Sequence, residues 1–237
     1  MATFFISDLH LQPAKPGITQ CFLSFLEKKA PQGDALYILG DLFDAWLGDD
    51  DITPFSQSII HGIKQLRQKG IPVYLMQGNR DFLMGRRFAA ACEAELLPEM
   101  HLVLLYGTPT LLCHGDHLCT DDKRHQWFRR LSRQPIVQYV MNHTSLSWRR
   151  KMGKKLRGLS GKHVKDKAIL DVNKKAVEKN LQQWGLKQLI HGHTHRPAIH
   201  LLSDNPMHRR IVLSDWQSNR GNALRYEPDG SAELIYF

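Results

Sequence analysis

The 237-residue sequence predicts an α/β protein built on a parallel sheet. Short apolar runs at residues 3–6, 35–39 and 71–76 end at polar or glycine-containing turns, which is how buried strands read. A helical pattern separates the second run from the third. Thr53-Pro54 offers a cap and a first-turn proline, and Ile59, Ile60, Ile63 and Leu66 recur at helical spacing until Gly70-Ile71-Pro72 stops them. Strands alternating with helices imply crossovers between parallel neighbours.

Farther along, residues 102–105 and 110–113 flank Tyr106-Gly107-Thr108-Pro109 and read as a hairpin. Residues 171–183 read as a helix and 186–191 as a strand. Residues 199–202, 210–213, 223–226 and 232–237 read as short antiparallel strands, with a turn at Pro228-Asp229-Gly230. Residues 123–167 stand apart. They hold 14 of the 32 Lys and Arg beside a single acid, Asp166, with Trp127, Phe128, Leu131, Trp148, Met152 and Leu156 at helical intervals. Such aromatics favour short helices over a disordered tail. The expected organisation is a core of residues 1–122 and 168–237, interrupted by a basic helical insert at 123–167.

Composition narrows the classes. At 42% hydrophobic and 23% charged residues the chain has globular proportions. Its apolar runs reach five residues, against roughly 18 for a membrane span. The N-terminus lacks the basic start and apolar core of a signal peptide. Cys21, Cys92, Cys113 and Cys119 show no CxxC spacing, so neither a disulfide scaffold nor a thiolate zinc site is expected, and reduced thiols fit a cytoplasmic protein. The net charge of +9 is concentrated in the insert. It points to an anionic partner: nucleic acid, an acidic membrane surface or a phosphorylated substrate, with a solvated helical face as the plainer alternative.

The chemistry-bearing residues fall at strand exits. Asp8 and His10 follow the first strand, Gly40-Asp41 the second, and Gly78-Asn79-Arg80-Asp81 the third. His114-Gly115-Asp116 follows the hairpin, and His191-Gly192-His193-Thr194-His195 follows the late strand. Parallel sheets bind ligands at these carboxyl ends. Each fragment alone is a weak signal, but five in order are a strong one. In extended segments alternate residues share a side, so Asp8 with His10, and His193 with His195, are expected to reach one centre. Carboxylate and amide oxygens mixed with imidazoles, without thiolate, suit Mn²⁺, Fe²⁺ or Zn²⁺. Seven ligands are too many for one tetrahedral ion and fit two ions sharing a bridge. Two divalent ions outweigh the charges of Asp8 and Asp41, attract a phosphate and acidify a bridging water for in-line attack on phosphorus.

Asp8-x-His10, Gly40-Asp41, Gly78-Asn79, His114 and Gly192-His193-x-His195 resemble the five motifs of the calcineurin-like metallophosphoesterase superfamily. The resemblance implies a four-layer α/β/β/α sandwich. It also implies that Asp8, His10, Asp41 and His195 hold one metal, and that Asp41 bridges to a second held by Asn79, His114 and His193. At the third motif many members carry a histidine that protonates an alkoxide leaving group, where this sequence has Arg80. Arginine holds phosphate oxygens bidentately and donates no proton near neutral pH. A phosphate leaving group needs charge stabilisation only, so Arg80 favours a diphosphate substrate, and Asp41, Arg80 and His114 are the expected catalytic residues.

Gly78-Asn79-Arg80-Asp81-Phe82-Leu83, together with Asp41-Leu42-Phe43-Asp44-Ala45-Trp46, the segment from His114 to Asp122 and His191 to Pro197, resembles bacterial UDP-2,3-diacylglucosamine hydrolases of lipid A biosynthesis. That resemblance implies attack on the α-phosphorus, giving UMP and 2,3-diacylglucosamine 1-phosphate (lipid X). It implies two Mn²⁺ as cofactors, with Fe or Zn as alternatives. The insert becomes a cap receiving the acyl chains, and Asn79, Arg80, Asp122, Ser160, Lys162, Lys165 and His193 become substrate contacts. Apolar cap residues (Trp127, Phe128, Trp148, Met152, Leu156) are expected to face the body and wall an acyl chamber with Trp46, Phe82 and Leu83. The cap's cations (Arg129, Arg130, Arg133, Arg149, Arg150, Lys151, Lys154, Lys155) are expected to face an anionic inner membrane, making the protein peripheral on its cytoplasmic side. No nucleic-acid partner and no obligatory protein partner are expected. The competing readings are another metallophosphoesterase, such as a nuclease or cyclic-nucleotide phosphodiesterase, and a binding module that has lost its metals.

Overall fold

β1 (Ala2–Ile6) is buried along its whole length, as a strand covered on both faces must be. α1 (Pro16–Lys28) carries the chain to β2 (Gly33–Leu39), and α2 (Pro54–Gln68) carries it to β3 (Val73–Met76). α2 starts at a reciprocal cap: Thr53 Oγ1 accepts from the Ser56 backbone N–H, and Ser56 Oγ accepts from that of Thr53. The three strands pair in parallel. α3 (Arg86–Ala91) leads to the short β4 (Glu95–Leu96), which pairs with β3. The hairpin follows as β5 (Met100–Leu105) and β6 (Thr108–Cys113). The helices α4 (Lys123–Ser132), α5 (Pro135–His143) and α6 (Leu146–Ser160) come next. The chain ends through α7 (Lys174–Trp184), β7 (Gln188–His191), β8 (Ala198–Leu201), β9 (Arg209–Val212), β10 (Asn222–Tyr226) and β11 (Ala232–Tyr236). This computed structural model describes residues 1–160, 171–206 and 208–237, with the backbone alone for 155–160. Ser160, Lys162, Lys165, Lys155 and Leu156, as side chains, therefore lie outside the described residues.

The strands form two sheets, as the expected α/β/β/α layering requires. The first runs β11-β10-β1-β2-β3-β4 and the second β5-β6-β7-β9-β8. The C-terminal strands are divided between them: β9 joins β7 in parallel and β8 antiparallel, whereas β10 crosses back to pair antiparallel with β1. Apolar alternation shows that a segment is a strand, but not which sheet it joins. α7 begins later than its apolar pattern because the Asn173 side chain caps it, accepting from the Ala176 N–H.

Three apolar layers hold these pieces together. Phe22, Phe25, Ile59, Ile63 and Phe88 of the first helices pack with Phe4, Ile6 and Ile38 of the first sheet. Phe5, Leu39 and Met76 of that sheet meet Leu112, Ile190 and Ile211 of the second. Val177 and Leu181 of α7 cover Leu111 and Leu189 on its far side. The result is a four-layer α/β/β/α sandwich.

The helical insert departs in part from the expectation: Arg130, Lys151 and Lys154 are exposed and Phe128 and Met152 half-buried as expected, but Arg129, Arg133 and Arg149 turn inward and Trp127 and Trp148 outward. Arg149, only 1% exposed, donates to the Leu47 carbonyl and to both oxygens of Asp50. Gly48, at φ 131°, makes its seat, since a Cβ there would collide with the guanidinium. Arg150 pairs with Asp51, and Arg129 and Arg133 both reach Glu99. Four of the cap's large apolar side chains lie outside: Trp127 is 67% exposed, Trp148 48%, Ile136 77% and Tyr139 65%. The body beneath the insert is acidic, and guanidinium–carboxylate bonds decide which face turns inward. The expected acyl chamber changes accordingly. Trp46 and Leu83 are buried in the core layer below the first sheet rather than walling a chamber, with Trp46 stacked on Phe43. Phe82 and Phe128 do meet, edge to face at 6.4 Å, and Met152 is half-buried.

Candidate active site

All seven expected ligands converge where β1, β2, β3, β6 and β7 end, although the local geometry differs from the extended one expected. Asp8, His10, Asp41, His193 and His195 all have left-handed backbones, with φ between 49° and 69°. For residues with a Cβ this costs about 1–2 kcal/mol apiece, and such strain gathers at functional sites. Each residue after the strand is turned singly. Asp8 N–H donates to the Gly40 carbonyl at 3.1 Å and His10 N–H to that of Asp41 at 3.0 Å, so the loops after β1 and β2 lace together outside the regular ladder. Close approach requires glycine at position 78, where a Cβ would collide with Asp41 Oδ1.

The donor atoms point at one another. His195 Nε2 lies 3.2 Å from Asp8 Oδ1 and 3.4 Å from His10 Nε2. His114 Nε2 lies 3.0 Å from Asn79 Oδ1, and the His114 and His193 rings are 5.1 Å apart. Asp41 stands between these halves, its Oδ2 at 3.8 Å from His10 and its Oδ1 at 3.7 Å from His114. Among the described residues, two groups have ligand atoms close enough to hold an ion: Asp8, His10 and His195, and Asp8, Asp41 and His114. Asp8 is held by its other oxygen, which accepts from Ser7 Oγ at 2.6 Å and from the His193 N–H at 2.8 Å. Arg80 is exposed beside the cluster, with its backbone N–H on Asp41 Oδ1 at 2.8 Å. Asp122 is buried at the start of α4, where it caps the His125 N–H.

Electrostatics fit this set to cations. Asp41 is pushed up to about 7, by burial first and then by Asp81 and Asp8, against the pull of His114. Burial opposes the charge on His114, but Asp41 and Asp8 outweigh it and raise His114 to about 9. Burial resists the charge of Asp8 as well, but its hydrogen bond to His195 and the nearby imidazoles hold it well below the usual carboxylate range. Burial lowers His10 to about 4 and His193 to about 3, leaving neutral rings with free lone pairs, which is the form that binds metal. Against burial, Asp8 raises His195 as well, and it is the converging donor set of carboxylates, an amide oxygen and imidazoles that fits a pair of divalent ions.

Two carboxylates matter more than the sequence indicates. Asp81, read there only as the neighbour of Arg80, is fully buried and accepts backbone N–H bonds from Gly78 at 2.6 Å, Leu42 at 2.8 Å and Asp41 at 3.3 Å. It ties the second and third ligand loops together. Asp116, two residues after His114, is buried against Arg129 at 3.0 Å. Their signal was their place inside the motifs, beside the ligands.

A family model described as calcineurin-like phosphoesterase matches residues 1–197, and the chain belongs to that family, whose members hold paired metal ions. Among curated relatives, the UDP-2,3-diacylglucosamine hydrolase of Coxiella burnetii is 48% identical, covering 99% of this chain and 97% of its own. The enzyme of the same name from Pseudomonas aeruginosa is 46% identical over 100% of this chain and 99% of its own. A solved archaeal phosphodiesterase shares the fold, with a TM-score of 0.51 at 12% identity over the whole of both chains.

If Asp81 is the tie between loops, Asp81→Asn places an NH₂ against a backbone N–H. One unsatisfied buried donor then costs about 1–3 kcal/mol, read as a lower denaturation midpoint together with weaker Mn²⁺ binding. An unchanged midpoint and unchanged affinity would remove Asp81 from this role.

Proposed function

We propose that this chain hydrolyses the diphosphate of UDP-2,3-diacylglucosamine to UMP and 2,3-diacylglucosamine 1-phosphate. The supporting observation is the seven-ligand cluster with Arg80 beside it, in a chain closely similar to relatives bearing that name. We assign Asp8, His10, Asp41 and His195 to one metal and Asp41, Asn79, His114 and His193 to the other, and Mn²⁺ as the ion because the donors mix oxygen with imidazole. When bound, two divalent ions supply Lewis acidity to a phosphoryl oxygen and acidify a water for attack.

The protein's own residues do the rest. Arg80 projects from a backbone pinned to Asp41 and is assigned to the phosphate oxygens, where its fork matches the charge that develops on the leaving phosphate. Asn79, Asp122 and His193 are assigned to substrate contact. Attack at the α-phosphorus breaks its bond to the bridging oxygen. The water oxygen enters UMP, while the bridging oxygen departs with the sugar phosphate, so no alkoxide needs a proton. Half-buried Phe82, Phe128 and Met152 are the candidates for the acyl chains, whose methylenes contribute roughly 0.8 kcal/mol each when buried. Residues 123–167 act as the cap on a core of 1–122 and 168–237.

We further place the protein on an anionic membrane surface. Among the described residues no helix is long and apolar enough to cross a membrane. Trp127, Ile136, Tyr139 and Val140 are exposed on α4 and α5, and Lys151 and Lys154 are exposed on α6. Aromatic and aliphatic side chains beside cations suit a headgroup layer, and each cation contributes about 1 kcal/mol there. Sedimentation with anionic vesicles is expected to weaken with salt and with Ile136→Ser, and no sedimentation at low salt would exclude the surface.

Incubated with the UDP-linked diacyl sugar and Mn²⁺ in water labelled with heavy oxygen, the protein is expected to release labelled UMP, and a chelator to stop it. Label in the sugar phosphate would reverse the orientation, and no UMP at all would overturn the function. Arg80→Ala is expected to lower kcat by roughly a hundred- to a thousand-fold. Arg80→His is expected not to restore it; recovery with histidine would mean that the leaving group requires a proton.

A further inference from the structure

One stripe of the cap's first helix touches the loops of three ligands. His125, Arg129 and Arg133 follow one another at four-residue spacing along α4 and its C-terminal cap, and therefore share a face. The His125 ring stacks on the ring of His193, with centroids 5.4 Å apart and planes inclined by 26°. The Arg129 Nε donates to Asp116 Oδ2 at 3.0 Å, and Asp116 lies two residues beyond His114. Arg133 Nη2 donates to the Gly78 carbonyl at 3.0 Å, the peptide that leads directly into Asn79, and its Nη1 donates to Gln77 Oε1 at 2.7 Å. Gln126 fixes the helix in this register, donating to the carbonyls of Asp116 at 2.7 Å and Cys119 at 3.0 Å.

His193, His114 and Asn79 are the three residues assigned to the second metal. The other half of the centre takes no bond from α4: Asp8 is held by Ser7 and the His193 N–H, and the loop of His10 by backbone bonds to the loop after β2. We propose that α4 is a structural part of the second metal site, with His125, Arg129 and Arg133 as positioning residues for His193, His114 and Asn79. The cap is then more than a cover for the substrate. The helix that roofs the site also sets whether one of its two ions is held, so cap docking and metal occupancy are coupled. Groups that orient metal ligands without touching the metal typically change its affinity ten- to a hundred-fold, and three of them on one rigid helix act together.

This inference rests on the dinuclear reading above, and Mn²⁺ titration of metal-free protein tests the two separately. Wild type is expected to bind two ions, with a spin-coupled pair signal in electron paramagnetic resonance. The Arg129→Gln/Arg133→Gln double variant is expected to keep one ion at wild-type affinity and to weaken the other ten- to a hundred-fold, so that the coupled signal gives way to that of an isolated ion. Arg133→Lys, which retains one donor for the Gly78 carbonyl, is expected to fall between. Arg124→Gln, exposed on α4, is expected to bind both ions as wild type does. Two ions at wild-type affinity in the folded double variant would overturn the proposal, as would equal weakening of both. Where the double variant does not fold, His125→Ala is read against the same outcomes. A wild-type protein binding fewer than two ions would overturn the dinuclear reading itself, and this inference with it.

Discussion

Three carboxylates, Asp8, Asp41 and Asp81, are buried at the ends of neighbouring strands of one sheet. Like charges so placed repel, and burial disfavours each of them. The protein answers each differently. Asp81 receives four backbone N–H bonds, and Asp8 is met by Ser7, the His193 amide and His195. Asp41 has the Arg80 amide and the neighbouring imidazoles, and is still pushed up to about 7. It is the carboxylate whose charge the protein alone leaves least compensated, and it stands midway between the two sets of imidazoles. Cations placed there complete an arrangement that the chain has already strained five backbone positions to form. The same logic reaches outward, because the loops that carry this crowded charge are the ones that Arg129 and Arg133 hold.

The centre also lies on the seam between two sheets. Asp8, His10, Asp41 and Asn79 follow strands of the first sheet, whereas His114, His193 and His195 follow strands of the second. The seam is apolar, with Phe5 and Leu39 packed toward Leu112 and Ile190. The distance between the two sheets' shares of the site is therefore set by how closely the sheets pack, and the Asp8 carboxylate on the His193 N–H pins that distance at the site. Gly192 N–H, donating to the His114 carbonyl at 2.9 Å, stitches β6 and β7 at the same level. Precision in the site is inherited from the core below it.

What could be read in the sequence was what is local. Strand exits carrying Asp8, Asp41, Asn79, His114 and His193 are contiguous signals, and the capping of α2 at Thr53 is another. Pairing between distant strands is not local: nothing near residues 222–226 reveals that β10 lies beside β1 while β9 lies beside β7. The left-handed turns were hidden as well, since aspartate and histidine in a strand-exit motif read equally well as extended. The cap shows the limit most clearly. Its amphipathic spacing displays two faces, but the inward one was decided by Asp50, Asp51, Glu99 and Asp116 on segments far away in sequence. Apolar pattern alone places Trp127 and Trp148 inward, where the carboxylates draw Arg129, Arg133 and Arg149 instead.

The central claim is a pair of ions sharing Asp41, held on strained turns at a sheet seam. Anomalous scattering from crystals grown with Mn²⁺ tests it most directly. Two peaks are expected, one against Asp8, His10 and His195 and the other against Asn79, His114 and His193, with the Asp41 carboxylate touching both. A single peak, or two peaks of which neither lies on Asp41, would contradict it.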